Sequence, residues 1–146
     1  MRLYLIAAAL STIAVQHVAA YTGFTIWHSE VVNPFDGSVI DTYSAARFGC
    51  DTSCSALFNS GAQSVTNPFG SIPGNPADVQ EMDLDNLCNG PPLHLIRNGA
   101  GANVYRRDTG QQVGWCNPAS AHVGCFGLGA TSFDAVWNCD SYICQC

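Results

Sequence analysis

Eight cysteines constrain this chain more than any other feature of its sequence. They are Cys50, Cys54, Cys88, Cys116, Cys125, Cys139, Cys144 and Cys146. The gaps between them are irregular, and the close C-x2-C pairs typical of zinc sites are missing. An even number of cysteines in a small exported chain indicates a disulfide framework. We therefore expect all eight cysteines to form four disulfides, and we expect no metal site and no cofactor.

The N-terminus has the pattern of an export signal. Met1 and Arg2 give a short positive start, and the stretch from Leu3 to Val15 is apolar apart from Ser11 and Thr12. Small residues at Val18-Ala19-Ala20 then suit a signal peptidase, which predicts a secretory signal peptide over residues 1–20. The apolar run is too short to span a bilayer, and we expect no membrane span elsewhere. Residues 21–146 are predicted to be a single disulfide-rich domain that is secreted, extracellular and monomeric.

The charge composition excludes several classes of partner. The chain has eleven acidic residues, no lysine and a net charge of −6 at pH 7. An acidic domain without a basic stripe repels the phosphate backbone of nucleic acids and the surface of anionic membranes. General nucleic-acid binding is therefore not expected.

Several segments have the pattern of β-strands. Residues 21–32 alternate in polarity and are rich in aromatic and β-branched side chains, with one face containing Phe24, Ile26, His28 and Glu30. Residues 38–43 are a weaker candidate. The segments 93–97, 102–107 and 111–116 are separated by Asn98-Gly99 and by Asp108-Thr109-Gly110, which are good turn sequences. These three segments predict an antiparallel meander.

Two segments have helix signals. Asn75 is a good N-cap with Pro76 at the first helical position, and Gly90-Pro91 would end the helix. A second, short helix is predicted from Asp51 to about Phe58. The expected fold class is therefore α+β: a small antiparallel β-sheet, a meander, with one or two short helices and four disulfides.

Candidate catalytic residues are few. His28, Glu30, His94 and Arg97 supply the residue types that acid–base cleavage of RNA would need, as in a secreted hydrolase of ribonuclease type. The acidic net charge opposes a polyanionic substrate, and nucleophile motifs such as G-x-S-x-G are missing. A carbohydrate-binding module is a further alternative, because Trp27, Trp115 and Trp137 could stack on sugar rings. Such residues more often build the core of a small β-rich domain.

The signal, the scattered cysteines, the lack of lysine and the cysteine at position 146 resemble the small secreted cysteine-rich proteins of fungi. Many of those proteins are virulence effectors or antimicrobial toxins. The two adjacent Cys-Cys pairs of hydrophobins do not occur here. The resemblance implies a non-enzymatic, effector-like interaction protein. Its expected partner is an extracellular protein or glycan of a host or competitor.

Overall fold

The computed structural model describes residues 22–33, 35–47, 63–68, 70–126 and 130–145. The expected signal peptide at 1–20 and the expected short helix at 51–58 lie outside these residues.

Strands dominate the described part of the chain. Nine strands form one antiparallel sheet: β1 Thr22–Val32, β2 Val39–Arg47, β3 Gln63–Thr66, β4 Glu81–Leu84, β5 Leu93–Asn98, β6 Gly101–Arg106, β7 Gln112–Pro118, β8 His122–Phe126 and β9 Ala130–Gln145. Each strand from β1 to β6 pairs with the next strand in sequence, β7 pairs with β9, and β9 pairs with β1. The sheet therefore closes into a barrel-like ring of eight strands, with β8 as an additional strand.

The long strand β9 closes this ring because it is paired along both edges. One edge pairs with β1, with Phe24 opposite Cys139 and Val31 opposite Thr131. The other edge pairs first with β8 and then with β7. Backbone hydrogen bonds from Ala119 N to Val136 O and from Ala135 N to Ala121 O continue the pairing between β7 and β8. Strands β7 and β8 thus lie end to end along one edge of β9. Together they form one arm of a long hairpin, and β9 forms the other arm.

The barrel interior is packed with side chains. The interior cluster contains Phe24, Ile26, Tyr43, Ala45, Val65, Val79, Met82, Leu84, Leu87, Leu93, Leu95, Ala102, Val104, Val113, Cys116, Trp137, Cys139 and Cys144. An eight-stranded barrel is just wide enough to be filled in this way. The hydrophobic burial of this cluster is the main stabilising contribution that the sheet can make.

A second, smaller cluster covers the opposite side of β1. It contains Trp27, Ala46, Cys125, Phe133 and Ala135. Strand β1 is therefore buried on both faces from Phe24 to Ser29. The two faces that the alternating sequence predicts for this strand, with Phe24 and Ile26 on one and Trp27 on the other, are confirmed.

The predicted α+β class is wrong, and so is the helix predicted after Asn75. Asn75 does cap a turn, since its side chain accepts a hydrogen bond from Ala77 N, but only the 3-10 turn Pro76–Asp78 follows. The chain then forms β4, in which Met82 and Leu84 point into the core. From Glu81 to Leu84, acidic and apolar side chains alternate with a period of two residues, which suits a β-strand. Pairing of this strand with β3 and β5 overrides the local helix signal. The other helical piece in the described residues is the 3-10 turn Leu87–Asn89.

The expectation of four disulfides is also corrected. Two disulfides join described cysteines: Cys88–Cys144 and Cys116–Cys139. Cys116 and Cys139 stand directly opposite each other on β7 and β9, so this bridge fastens the hairpin that closes the barrel. Cys125 is also disulfide-bonded, and none of the described cysteines is free. Cys50, Cys54 and Cys146 lie outside the described residues.

Within the described ranges, no helix is long and apolar enough to cross a membrane.

Two glycines on the closing hairpin provide a test of its packing. A Cβ added at Gly114 on β7 would lie 2.2 Å from Asp140 O, whereas a Cβ added at Gly124 on β8 would meet no atom within 4 Å. We expect Gly114→Ala to lower the free energy of unfolding by about 1–3 kcal/mol, because the strands must move apart. Gly124→Ala is the matched control and should change it by less than about 0.5 kcal/mol. Urea unfolding with the disulfides intact measures both values, and equal values would contradict the close approach at Gly114.

Candidate functional site

The outer face of strands β4 to β7 carries the first group of candidate residues. We use this name for the side chains that point away from the barrel interior and stand next to one another in the strand register: Glu81, Asp83, His94, Ile96, Asn103, Tyr105 and Trp115. They form two rows across the sheet. One row runs from Asp83 through His94 to Tyr105, and the other runs from Glu81 through Ile96 and Asn103 to Trp115.

A cavity of about 380 Å³ lies on this outer face. It is lined by Pro68, Asp83, His94, Ile96, Tyr105, Arg106, Arg107 and Gly110. Its lining combines an aromatic ring, apolar side chains and polar groups of both charges. Cavities with a largely apolar lining and a few convergent polar groups are typical ligand sites.

A charged network holds one wall of the cavity in place. His94 Nδ1 lies 2.7 Å from Asp83 Oδ1, and His94 Nε2 lies 3.1 Å from Glu81 Oε2. Arg107 donates to Asp83 Oδ2 at 2.9 Å and also to Asp85. The hydrogen bond to Asp83 is the main reason that the pKa of Arg107 is raised above its ordinary value. Asp83 is buried and accepts from two partners, which is how a buried carboxylate is normally satisfied.

The second arginine of the cavity is paired as well. Arg106 donates to both carboxylate oxygens of Asp108, at 3.0 and 2.7 Å. This contact raises the pKa of Arg106 and lowers that of Asp108. The cavity therefore presents ion pairs rather than isolated positive charges.

Exposed aromatic side chains continue the outer face beyond the cavity. Trp115 on β7 is 55% exposed and stands between Asn103 on β6 and Asp140 on β9. Tyr142 is also exposed and lies close enough to Arg106 to contribute to its raised pKa. In contrast, Trp27 and Trp137 are buried in the two hydrophobic clusters.

The second group of candidate residues lies at one end of the barrel. His28 and Glu30 follow the buried part of β1 on its interior face, and Tyr43 and Asp41 stand opposite them on β2. His28 is 5% exposed, and its Nε2 lies 2.9 Å from Asp41 Oδ1. The side chains of His28, Glu30 and Asp41 offer three metal-ligand atoms that all lie within 4.8 Å of one another. We call these three residues the barrel-end cluster.

Arg97 has a structural role in the described contacts. Its guanidinium carbon lies 5.2 Å from the centroid of the Trp137 ring, and its Nε donates to Val79 O at 2.6 Å. A second nitrogen donates to Pro76 O. These bonds fix the segment before β4 against the barrel, and a cation over an indole ring adds to their stability.

The candidate catalytic residues from the sequence are thus only partly brought together. His28 and Glu30 share the barrel-end cluster, whereas His94 lies on the outer face between Asp83 and Glu81. The structure does not bring His94 to His28. Sequence reasoning missed Asp41, which the register of β1 and β2 places directly opposite Glu30. The turn residues Asn33 and Gly37 were the signal that these two segments pair.

Comparisons with protein-family models, with curated proteins and with solved structures found no match. Function is therefore inferred from the chemistry of the two groups of residues.

The network around Asp83 gives a test of the cavity wall. We expect Asp83→Asn to lower the free energy of unfolding by about 1–3 kcal/mol, because a buried charged acceptor for both His94 and Arg107 is lost. Asp85→Asn removes the other acceptor of Arg107 but at a side chain that is 56% exposed. Asp85→Asn should therefore lower the free energy of unfolding by no more than about 1 kcal/mol. Thermal and urea unfolding measure both variants, and an equal loss would show that Asp83 is not the centre of the network.

Proposed function

We propose that this chain is an extracellular binding protein, without catalytic activity, that recognises a carbohydrate chain on the outer face of β4 to β7. The observation that carries the proposal is the combination of the exposed Trp115 with the neighbouring cavity on one sheet face. The carbohydrate would belong to a host or competitor organism.

The chemistry of the outer face suits a sugar ring. A sugar presents C–H groups on its two flat faces and hydroxyl groups around its edge. Aromatic side chains bind the flat faces, and planar amide, carboxylate and guanidinium groups bind the hydroxyls. The outer face supplies Trp115 and Tyr105 for the first kind of contact. Asn103 on the same face and Asp140 on the neighbouring β9 flank Trp115 and supply the second kind.

The charge distribution favours a neutral ligand over an anionic one. The two arginines of the cavity, Arg106 and Arg107, each donate to aspartates. The chain as a whole carries a net charge of −6. A phosphate-rich ligand would have to displace these carboxylates and overcome the negative field of the protein. A neutral saccharide can instead donate to the carboxylates and accept from the guanidinium groups.

The contacts of His94 support binding rather than catalysis at this cavity. Both of its ring nitrogens lie within hydrogen-bond distance of carboxylate oxygens, those of Asp83 and Glu81. A general acid or base must have a ring nitrogen free to reach the substrate. His94 therefore serves to hold the cavity wall.

Two features support an extracellular location. The N-terminal sequence predicts an export signal, and the barrel is fastened by the disulfides Cys88–Cys144 and Cys116–Cys139. Disulfides of this kind persist in oxidising compartments and are rare in the cytosol.

The test is binding to a panel of insoluble polysaccharides, measured as depletion of protein from solution over chitin, cellulose and β-1,3-glucan. We expect binding to at least one of them and a loss of about tenfold or more in affinity for Trp115→Ala, which corresponds to about 1.4 kcal/mol. The matched control is Phe35→Ala. Phe35 is 96% exposed in the turn between β1 and β2, so its removal should leave affinity unchanged.

Three outcomes would contradict the proposal. The first is that no polysaccharide binds, and the second is that Trp115→Ala and Phe35→Ala behave alike. The third is a defined extracellular protein that binds through Trp115 while every polysaccharide fails, which would make the ligand a protein instead of a glycan.

A further inference from the structure

We propose that His28, Glu30 and Asp41, the barrel-end cluster, bind a divalent transition-metal ion. This inference is independent of carbohydrate binding, because the outer face contributes no residue to the cluster.

The geometry of the cluster is close to that of a metal site. His28 Nε2, a carboxylate oxygen of Glu30 and a carboxylate oxygen of Asp41 lie within 4.8 Å of one another. Protein ligands bind zinc at about 2.0–2.2 Å, so ligand atoms around one ion stand roughly 3–4 Å apart. Glu30 and Asp41 are exposed, and an ion bound here would replace the 2.9 Å hydrogen bond between His28 Nε2 and Asp41 Oδ1.

The strand register holds the ligands in place. Glu30 on β1 stands directly opposite Asp41 on β2, and His28 stands opposite Tyr43. Directly opposed residues of an antiparallel pair point to the same side of the sheet, with Cβ atoms about 4.5–5.5 Å apart. The three ligands are therefore presented together by two rigid strands rather than by a loop.

Neighbouring groups fix the orientation of the imidazole and of Asp41. The His28 ring packs on the Tyr43 ring with their centroids 4.8 Å apart. The Tyr43 hydroxyl donates to Pro73 O at 3.0 Å, which holds the phenol ring in place beside the imidazole. Gly74 packs against Asp41, since a Cβ there would lie 2.6 Å from Asp41 Oδ2. Metal ligands are commonly oriented by such surrounding contacts.

The local charge favours a cation. Like charges that stand directly opposite each other destabilise an antiparallel pair, and Glu30 and Asp41 are such a pair. Among the described side chains, no arginine forms an ion pair with either carboxylate. Asp134 stands opposite His28 on β9, but it lies 2.6 Å from His122 Nδ1 and is occupied there. A bound divalent ion would neutralise the two facing carboxylates.

The donor types indicate which kind of ion fits. Calcium and magnesium take oxygen ligands almost exclusively, whereas an imidazole together with carboxylates suits zinc, manganese and related ions. Three protein ligands leave at least one coordination position for water. A cavity of about 250 Å³ shares Asp41 with the cluster and is also lined by Thr42, Tyr43, Val65 and Ile72.

The experiment is a calorimetric titration of the chelator-treated full chain with ZnCl₂. The key variant is Glu30→Gln, because Glu30 is exposed and the substitution keeps the size of the side chain while removing its charge. The control is Glu81→Gln, the same substitution at the other glutamate of the chain, whose carboxylate contacts His94. We expect one Zn²⁺ per chain, a loss of about tenfold or more in affinity for Glu30→Gln, and no change for Glu81→Gln.

A second measurement distinguishes Zn²⁺ binding at the barrel-end cluster from adventitious binding elsewhere on the chain. ¹⁵N NMR of the histidine side chains should show Zn²⁺ shifting the Nε2 resonance of His28 while His94 and His122 stay unchanged. Asp41→Asn, which preserves the size of the side chain, should abolish this shift. Failure of Zn²⁺ to bind, equal affinity of Glu30→Gln and Glu81→Gln, or a shift at His122 in place of His28 would each overturn the proposal.

Discussion

The pairing of β9 along both of its edges is the constraint on which the rest of the structure depends. Without the contact between β9 and β1, the nine strands would form an open sheet with β1 as an exposed edge. With it, the apolar face of the sheet encloses its own core, and Phe24, Ile26 and Trp137 meet across the closure. The Cys116–Cys139 bridge fixes the same strand on its other side. The described strands thereby surround most of the interior cluster.

Closure also separates the two groups of polar residues. A strand in a barrel wall points alternate side chains inward and outward. His28 lies on the inner face of β1 where the barrel ends, while His94 lies on the outer face of β5. The residues that look like one acid–base set in the sequence therefore belong to two separate groups with different surroundings. One is a compact cluster of an imidazole and two carboxylates, and the other is a broad face with an exposed indole and paired charges.

The sequence predicts the local elements better than it predicts their assembly. The alternation of residues 21–32 gives the two faces of β1, and the turn residues around Gly99 and Gly110 give the meander of β5, β6 and β7. The helix after Asn75 fails because its capping signal is local, whereas the neighbours that make β4 a strand lie far away in sequence. The closure of β9 on β1 joins residues at least 100 positions apart, and no short-range sequence pattern indicates it. Asp41 was missed for a related reason, since its role appears only when the register of β1 and β2 is known.

Native-state hydrogen exchange of β1 tests this closure most directly. In the closed barrel, the N–H groups of Phe24, Thr25 and Ile26 alternate between partners on β2 and β9, so all three are hydrogen-bonded. We expect these three successive amides to exchange only through global unfolding, as slowly as amides in the centre of β5 and β6. If β1 were an edge, alternate amides would be free. Rapid exchange at every second residue of this segment would contradict the closed barrel, and with it the separation of the two sites.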